Sequence, residues 1–266
     1  MPATVTQAIV ASRGKYDYRA ESDDACDAHF IECLVAVLDN NPNVGLAHCR
    51  SLRMDETSRI WGGRRQSNAD RVECGKDVFS RIVLRNDIMG GNMMFTRAAH
   101  DEVGGFAVAP FESVCDYDFA LRLCLKYDVA YVGNALGFHR VHRSNLGTKF
   151  QRTFDVEFFV REHYLLLSRA FEAARRQWGN MHELEKAALS TLTKTAGADA
   201  FLDALQSHNL CVAKELRAQF QVYDPTVNRS LYWFSTCIKR FAWRLFLPGR
   251  NRILGSYVIP NAALVV

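Results

Sequence analysis

The sequence predicts an α/β region followed by a helical one. Up to about residue 150, short apolar stretches of strand character alternate with stretches whose apolar residues recur every three to four positions. Beyond that point only the helical spacing recurs. With 266 residues, 48% of them hydrophobic, the chain carries enough apolar surface for a full core.

Tyr16 to Ala20 reads as a first strand. Ala28 to Leu38 then sets Phe30, Ile31, Leu34, Val35 and Leu38 at helical spacing until Asn40-Asn41-Pro42 stops the helix. Val44 to Leu52 is a strand, Asp55-Glu56-Thr57 a turn, Gly62 to Asp70 a polar loop and Lys76 to Leu84 a helix. Asn92 to Thr96 forms a short apolar strand ahead of the Gly104-Gly105 turn. Asp116 to Lys126 is helical, with Phe119, Leu123 and Lys126 at three-to-four spacing, and Val129 to Val132 is a strand. The helical region begins with Phe154 to Trp178, whose buried side is expected to hold Phe158, Tyr164, Leu165 and Leu167, and Gly179-Asn180 ends it. Glu183 to Thr195 and Asp199 to Phe220 continue it as far as Asp224-Pro225. The expected division is therefore 1–150 and 151–266.

Charge separates the chain differently. Between Pro225 and Val266, Arg229, Lys239, Arg240, Arg244, Arg250 and Arg252 face no acidic residue, so this tail carries +6 and the first 224 residues carry −2 of the +4 total. A mildly acidic body argues against a nucleic-acid binder. In the tail, Phe234, Ile238, Phe241 and Leu245 form one stripe while Arg240 and Arg244 share another face, and Trp233 and Trp243 suit a headgroup region. The stripe reads either as a face packed on the body or as a peripheral contact with an anionic membrane. No apolar run approaches the roughly 18 to 20 residues of a membrane span, and the N-terminus lacks the pattern of a secretion signal. Eight cysteines without a CxxC pair read as reduced thiols, so a cytoplasmic location is expected, peripheral at the inner membrane face if the tail binds lipid.

Three segments could carry chemistry. Gly14 to Asp24 is a short strand that runs into Glu21, Asp23 and Asp24, a set of hard oxygen donors suited to Mg²⁺ or Mn²⁺. The same residues would also serve as caps at a helix N-terminus. Glu112 to Leu123 brings Asp116 and Asp118 into a helix start, where either could cap the helix or act as a general base. Phe138 to Asn145 alternates His139, Arg140, His142 and Arg143, a pattern for phosphate or metal, or for a solvated loop. A zinc site on His139 and His142 lacks a third and fourth ligand.

In this order the segments resemble the family 2 glycosyltransferases of the GT-A fold. Those enzymes show G-x-Y-x-x-x-x-D-x-D-D, N-P-x-V-G, V-G-G-F, an E-D dipeptide opening a helix, and R-x-H. This chain has Gly14 to Asp24, Asn41-Pro42-Asn43-Val44-Gly45, Val103-Gly104-Gly105-Phe106, Cys115-Asp116 and Arg140-Val141-His142. The resemblance spans residues 7 to 145. It implies a GT-A-like mixed sheet and an inverting transferase that takes a sugar from a nucleotide-diphosphate donor to a saccharide or lipid-linked acceptor, as in polysaccharide biosynthesis. It implies Asp116 as the base, Asp23 with His142 on a Mn or Mg ion, and Glu21, Asp24, Arg140 and His142 around the donor and its diphosphate. Glu21 stands where the family has Asp, and Cys115 where it has Glu. The family's opening strands, with P-x-Y-N and V-D-D-G-S segments, have no counterpart here. The sheet is therefore expected to be N-terminally incomplete, with the chain a fragment of a longer gene, or a partner covering the gap, or the chain a degenerate relative, and activity of the chain alone is expected to be weak or absent. The alternative is a non-catalytic relative serving as a binding or assembly module.

Overall fold

The computed structural model describes residues 2–63, 66–106, 110–142, 145, 156–197, 201 and 210–223. The chain forms two compact units, Met1–Val141 and His142–Val266. The first is a mixed α/β layer. Its elements are α1 (Pro2–Ala11), β1 (Tyr16–Tyr18), β2 (Ala25–Cys26), α2 (Phe30–Asn40), β3 (Val44–Met54), β4 (Ile60–Gly63), β5 (Arg71–Glu73) and α3 (Gly75–Ile82). A 3₁₀ turn at Gly90–Asn92 then leads into β6 (Met93–Thr96), α4 (Arg97–Glu102), α5 (Cys115–Cys124) and β7 (Asp128–Arg140).

The seven strands make one sheet with the path β1-β6-β3-β7-β2, while β4 pairs with β3 and β5 with β7. Among the described strands only β3 and β7 pair in parallel, from Val44 opposite Asp128 to Met54 opposite Arg140, with register shifts at Val44/Leu46, Cys49/Arg50 and Arg50/Ser51. β1 lies antiparallel to β6, with Asp17 opposite Phe95. Strand parity then assigns the two faces. Ala47, Cys49, Met94, Ala130 and Val132 pack under Phe30, Leu34 and Leu38 of α2. On the other face Phe95, Phe106 and Phe119 stack, with Phe106 and Phe119 centroids 4.2 Å apart, so α5 is seated there by its Phe119. Each of these buried rings contributes about 1.5 to 3 kcal/mol relative to exposure.

Several boundaries differ from the sequence reading. β7 continues to Arg140 through Gly133 and Gly137, because ladders to β3 on one side and to β5 and β2 on the other hold the backbone extended where side-chain preference does not. β4 begins after the turn and runs into the expected polar loop, taking in Gly62 and Gly63, which pair with Arg53 and Leu52. Ile31 is exposed, since α2 buries the narrower stripe Phe30, Leu34 and Leu38.

The second unit is helical, with α6 (Val156–Trp178), α7 (His182–Leu192), a π turn at Thr193–Gly197 and α8 (Leu210–Tyr223). Gly179 at φ +80° ends α6, as a left-handed glycine does after a last helical turn. Val160, Tyr164, Leu167, Phe171 and Ala174 make the buried stripe of α6. Leu165, expected on it, is exposed because its one-residue offset from Tyr164 turns it by a hundred degrees. The Tyr164 hydroxyl lies 2.5 Å from Thr193 Oγ1, and its ring lies 6.5 Å from that of Phe220, tying α6 to the π turn and to α8. Phe158 is outside the residues whose side chains are described, and the whole basic aromatic tail is outside the described residues.

Candidate active site

The site grows from the parity of β1. Tyr16 and Tyr18 pack against the α2 face, Tyr18 with its ring 4.6 Å from Phe30, so Asp17 and Arg19 take the α4–α5 face. Asp17 is buried there and accepts from Arg97 Nη2 at 2.9 Å and Ser12 Oγ at 2.7 Å, which anchors the end of α1 to the start of α4. One period on, the Arg19 guanidinium passes over the Phe106 ring, 5.8 Å from its centroid, and pairs with Glu21.

Beyond β1 the chain runs through Glu21, Asp23 and Asp24 to β2. Asp24 Oδ1 accepts from the Arg140 backbone N–H at 2.9 Å and lies 3.2 Å from His139 Nδ1, so the acid turn is tied to the end of β7. The Arg140 side chain completes the tie. Its Nε donates to the Asp23 carbonyl at 2.7 Å, and its Nη1 donates to the Asp55 carbonyl at 2.9 Å and Ser58 Oγ at 3.0 Å. Arg140 thus joins the acid turn to the β3–β4 turn.

Two glycines bring the acids together. A Cβ on Gly91 would lie 2.9 Å from Asp24 Oδ2 and from Glu21 Cγ, and one on Gly90 would lie 2.8 Å from Asp116 Oδ2 and against the Arg19 guanidinium. The Gly90–Gly91 turn therefore runs between Glu21 and Asp24 on one side and Asp116 on the other, at a separation only hydrogen side chains allow. Tyr18 holds it by donating to the Gly91 carbonyl at 3.1 Å.

Asp116 sits in the first turn of α5, where the helix dipole favours an anion, and its Oδ1 accepts from the Tyr117 N–H at 2.8 Å. Two residues on, Asp118 binds Arg122, whose guanidinium also donates to the Val103 carbonyl at 2.5 Å and the Gly105 carbonyl at 2.7 Å. The glycines of that turn have φ +81° and +67°. The V-G-G-F segment is thereby fastened to α5, with Phe106 placed over Phe119 and Arg19.

Burial raises the Glu21 carboxyl above its ordinary value, with Arg19 pulling against it and Asp116 and Asp24 adding to it. Burial works against the Arg19 charge, and Asp116 and Glu21 more than offset it, leaving the guanidinium more firmly protonated than usual. Cys115 is pushed up to about 11, chiefly by burial and then by Asp116, which keeps it a thiol.

Of the residues the sequence marks, Glu21, Asp24 and Asp116 come together, Asp23 lies in the same acid turn, and Arg140 braces it from behind. His142 begins the second unit, where its N–H donates to Asn145 Oδ1 at 2.6 Å. The sequence reading missed Arg19, Gly90 and Gly91. The Tyr-Asp-Tyr-Arg alternation and the Met89-Gly90-Gly91-Asn92 run before a strand were the available signals.

The donor chemistry of the acid turn is that of a hard cation, but it does not form a ready cage. Among the described residues no three His, Cys, Asp or Glu side chains converge on one point. Glu21 is paired with Arg19, and Asp24 with the Arg140 N–H and His139. Asp23 gives its backbone carbonyl to Arg140 Nε.

The family model described as Glycosyl transferase family group 2 matches residues 21–247. No curated protein matches the chain. Among solved structures, residues 1–349 of S. aureus TarS align with a TM-score of 0.46 at 11% identity, covering 86% of this chain and 71% of that one. The Pyrobaculum calidifontis mannosyltransferase PcManGT, solved with GDP-Man and Mn²⁺, aligns with a TM-score of 0.43 at 16% identity, covering 91% of this chain and 66% of that one.

Proposed function

The chain belongs to glycosyl transferase family group 2, and on that premise we propose that it moves a sugar from a nucleotide-diphosphate donor to an acceptor hydroxyl with inversion at the anomeric carbon. The observation that carries this reading is the meeting of Glu21, Asp24 and Asp116 across the Gly90–Gly91 turn. Base and donor-side acids must act around one carbon, and these three acids come from segments that meet at one backbone turn.

In this reading Asp116 accepts the proton of the acceptor hydroxyl as its oxygen attacks the anomeric carbon. The bond from that carbon to the diphosphate oxygen breaks on the opposite face, and the nucleotide diphosphate departs with the electron pair. Glu21 and Asp24 border the donor. Arg140 acts through the acid turn, since its guanidinium is bonded to the Asp23 carbonyl and the β3–β4 turn. Asp23 would hold a Mn²⁺ or Mg²⁺ ion, which when bound offsets the charge of the departing diphosphate.

Isothermal titration of the 266-residue chain with UDP- and GDP-sugars in Mn²⁺ tests the reading. Binding of at least one donor, weakened about tenfold or more in Asp24→Asn, is expected. A chain that binds none, or an Asp24→Asn variant that binds as well, overturns it. The acceptor is proposed as a saccharide or lipid-linked sugar. No helix among the described residues is long and apolar enough to cross a membrane. Peripheral membrane contact is proposed for the tail, in whose sequence Phe234, Ile238, Phe241 and Leu245 recur at four-three-four spacing with Arg240 and Arg244 among them. Flotation with anionic liposomes should fall when the chain ends at Asp224, and equal flotation removes the tail from the account.

A further inference from the structure

We propose that Arg19 is a positioning residue that serves as the chain's own cation in the acid cluster, holding Glu21 away from metal coordination and facing Asp116. The parity of β1 directs it there, one period beyond the buried Asp17 and on the face of Phe95, Phe106 and Phe119. Its side chain is only 12% exposed and is paired with Glu21 Oε1. The same guanidinium shares the Gly90 flank with Asp116 Oδ2, so one cation stands between two acids of separate elements. A carboxylate that shares a buried site with a fixed guanidinium gains little from a second cation, because that ion must displace the pairing and meet the repulsion of the Arg. Arginine suits the place better than lysine. It stays charged when buried, and its planar fork can face two carboxylates at once. Its Nε and Nη1 are buried without a hydrogen-bond partner, so the charge rather than a full set of bonds accounts for its position.

The consequence is a division of labour within the six residues from Arg19 to Asp24. Glu21 belongs to Arg19, Asp24 to the end of β7, and Asp23 to the cation. The substitution of Glu for Asp at position 21 fits this division, since the longer side chain reaches back to Arg19 within the same turn.

The test is direct Mn²⁺ binding, followed by the loss of the free-ion electron paramagnetic resonance signal, without nucleotide or acceptor. It rests on reading this cluster as the donor site, yet it is independent of turnover, so its failure and the failure of the transferase reading are distinguishable. With Arg19 in place, Glu21→Gln should change Mn²⁺ affinity by less than twofold. Arg19→Met should tighten Mn²⁺ binding about tenfold or more, and Arg19→Met with Glu21→Gln should lose that gain. Arg19→Lys should keep the weak binding of the parent. A tenfold loss in Glu21→Gln alone, or an Arg19→Met protein that folds by circular dichroism and binds no more tightly, overturns the proposal. If Arg19→Met does not fold, the Glu21→Gln result still decides.

Discussion

Acidification should destabilise this protein in part through His48. His48 lies on β3 facing Tyr131, with ring centroids 5.1 Å apart, and both ring nitrogens are buried without a hydrogen-bond partner. Burial lowers its imidazole from 6.5 to about 4; Asp87 opposes this, and Arg81 and Arg71 add to it. The unfolded chain therefore takes up the proton first. Stability is fully present above the unfolded value and falls as pH drops from about 6.5 towards 4. At about 1.4 kcal/mol per pH unit the whole interval amounts to about 3 kcal/mol, of which about 2 is lost by pH 5. Urea unfolding of the chain and of His48→Leu at pH 7.5 and pH 5 measures this. The cost of the substitution itself cancels, because each protein is compared with itself and other titrating groups are common to both. The unaltered chain should lose about 2 kcal/mol more than the variant between the two pH values. Equal losses would refute the assignment of a neutral buried imidazole.

Other outcomes follow from the site. Arg122→Met removes the partner of Asp118 and of the Val103 and Gly105 carbonyls. It should lower unfolding free energy by about 2 to 4 kcal/mol by denaturant titration, because a largely buried carboxylate loses its counter-charge. Gly91→Ala sets a methyl group against Asp24 and Glu21. It should weaken donor binding about tenfold or more by calorimetry while lowering stability by about 1 to 3 kcal/mol. Phe119→Ala empties the centre of the Phe95, Phe106 and Phe119 stack and should destabilise by about 3 to 5 kcal/mol, the largest effect of the three.

Much of this was legible in the chain itself. The stripe Phe30, Leu34 and Leu38 fixed α2, the apolar runs at Val44 and Asn92 fixed β3 and β6, and Gly104-Gly105 marked a turn whose positive φ values only glycine adopts readily. The meeting of Glu21 and Asp24 with Asp116 was legible only through motif order. Nothing local tells that segments some 90 residues apart meet at one turn. The length of β7 was hidden because Gly133 and Gly137 owe their extended backbone to neighbouring strands. At both positions a side chain would strike the Asn68–Ala69 backbone or the Asn92 amide. Arg19 was hidden for another reason. A charged residue at a strand end normally points to water, and its burial depends on two acids and a ring supplied by the turn after β1, the start of α5 and the V-G-G-F segment.

The central claim is that Asp116 takes the acceptor proton beside a donor bordered by Glu21 and Asp24. The most direct measurement compares the unaltered chain with Asp116→Asn, following nucleotide-diphosphate release with the donor that binds and, on the same preparations, the dissociation constant of that donor. Loss of a positioned base should cost about 10² to 10⁴ in turnover, with the donor dissociation constant within about threefold of the parent because the Asn keeps the shape of the helix start. Turnover by Asp116→Asn equal to that of the parent would contradict the account.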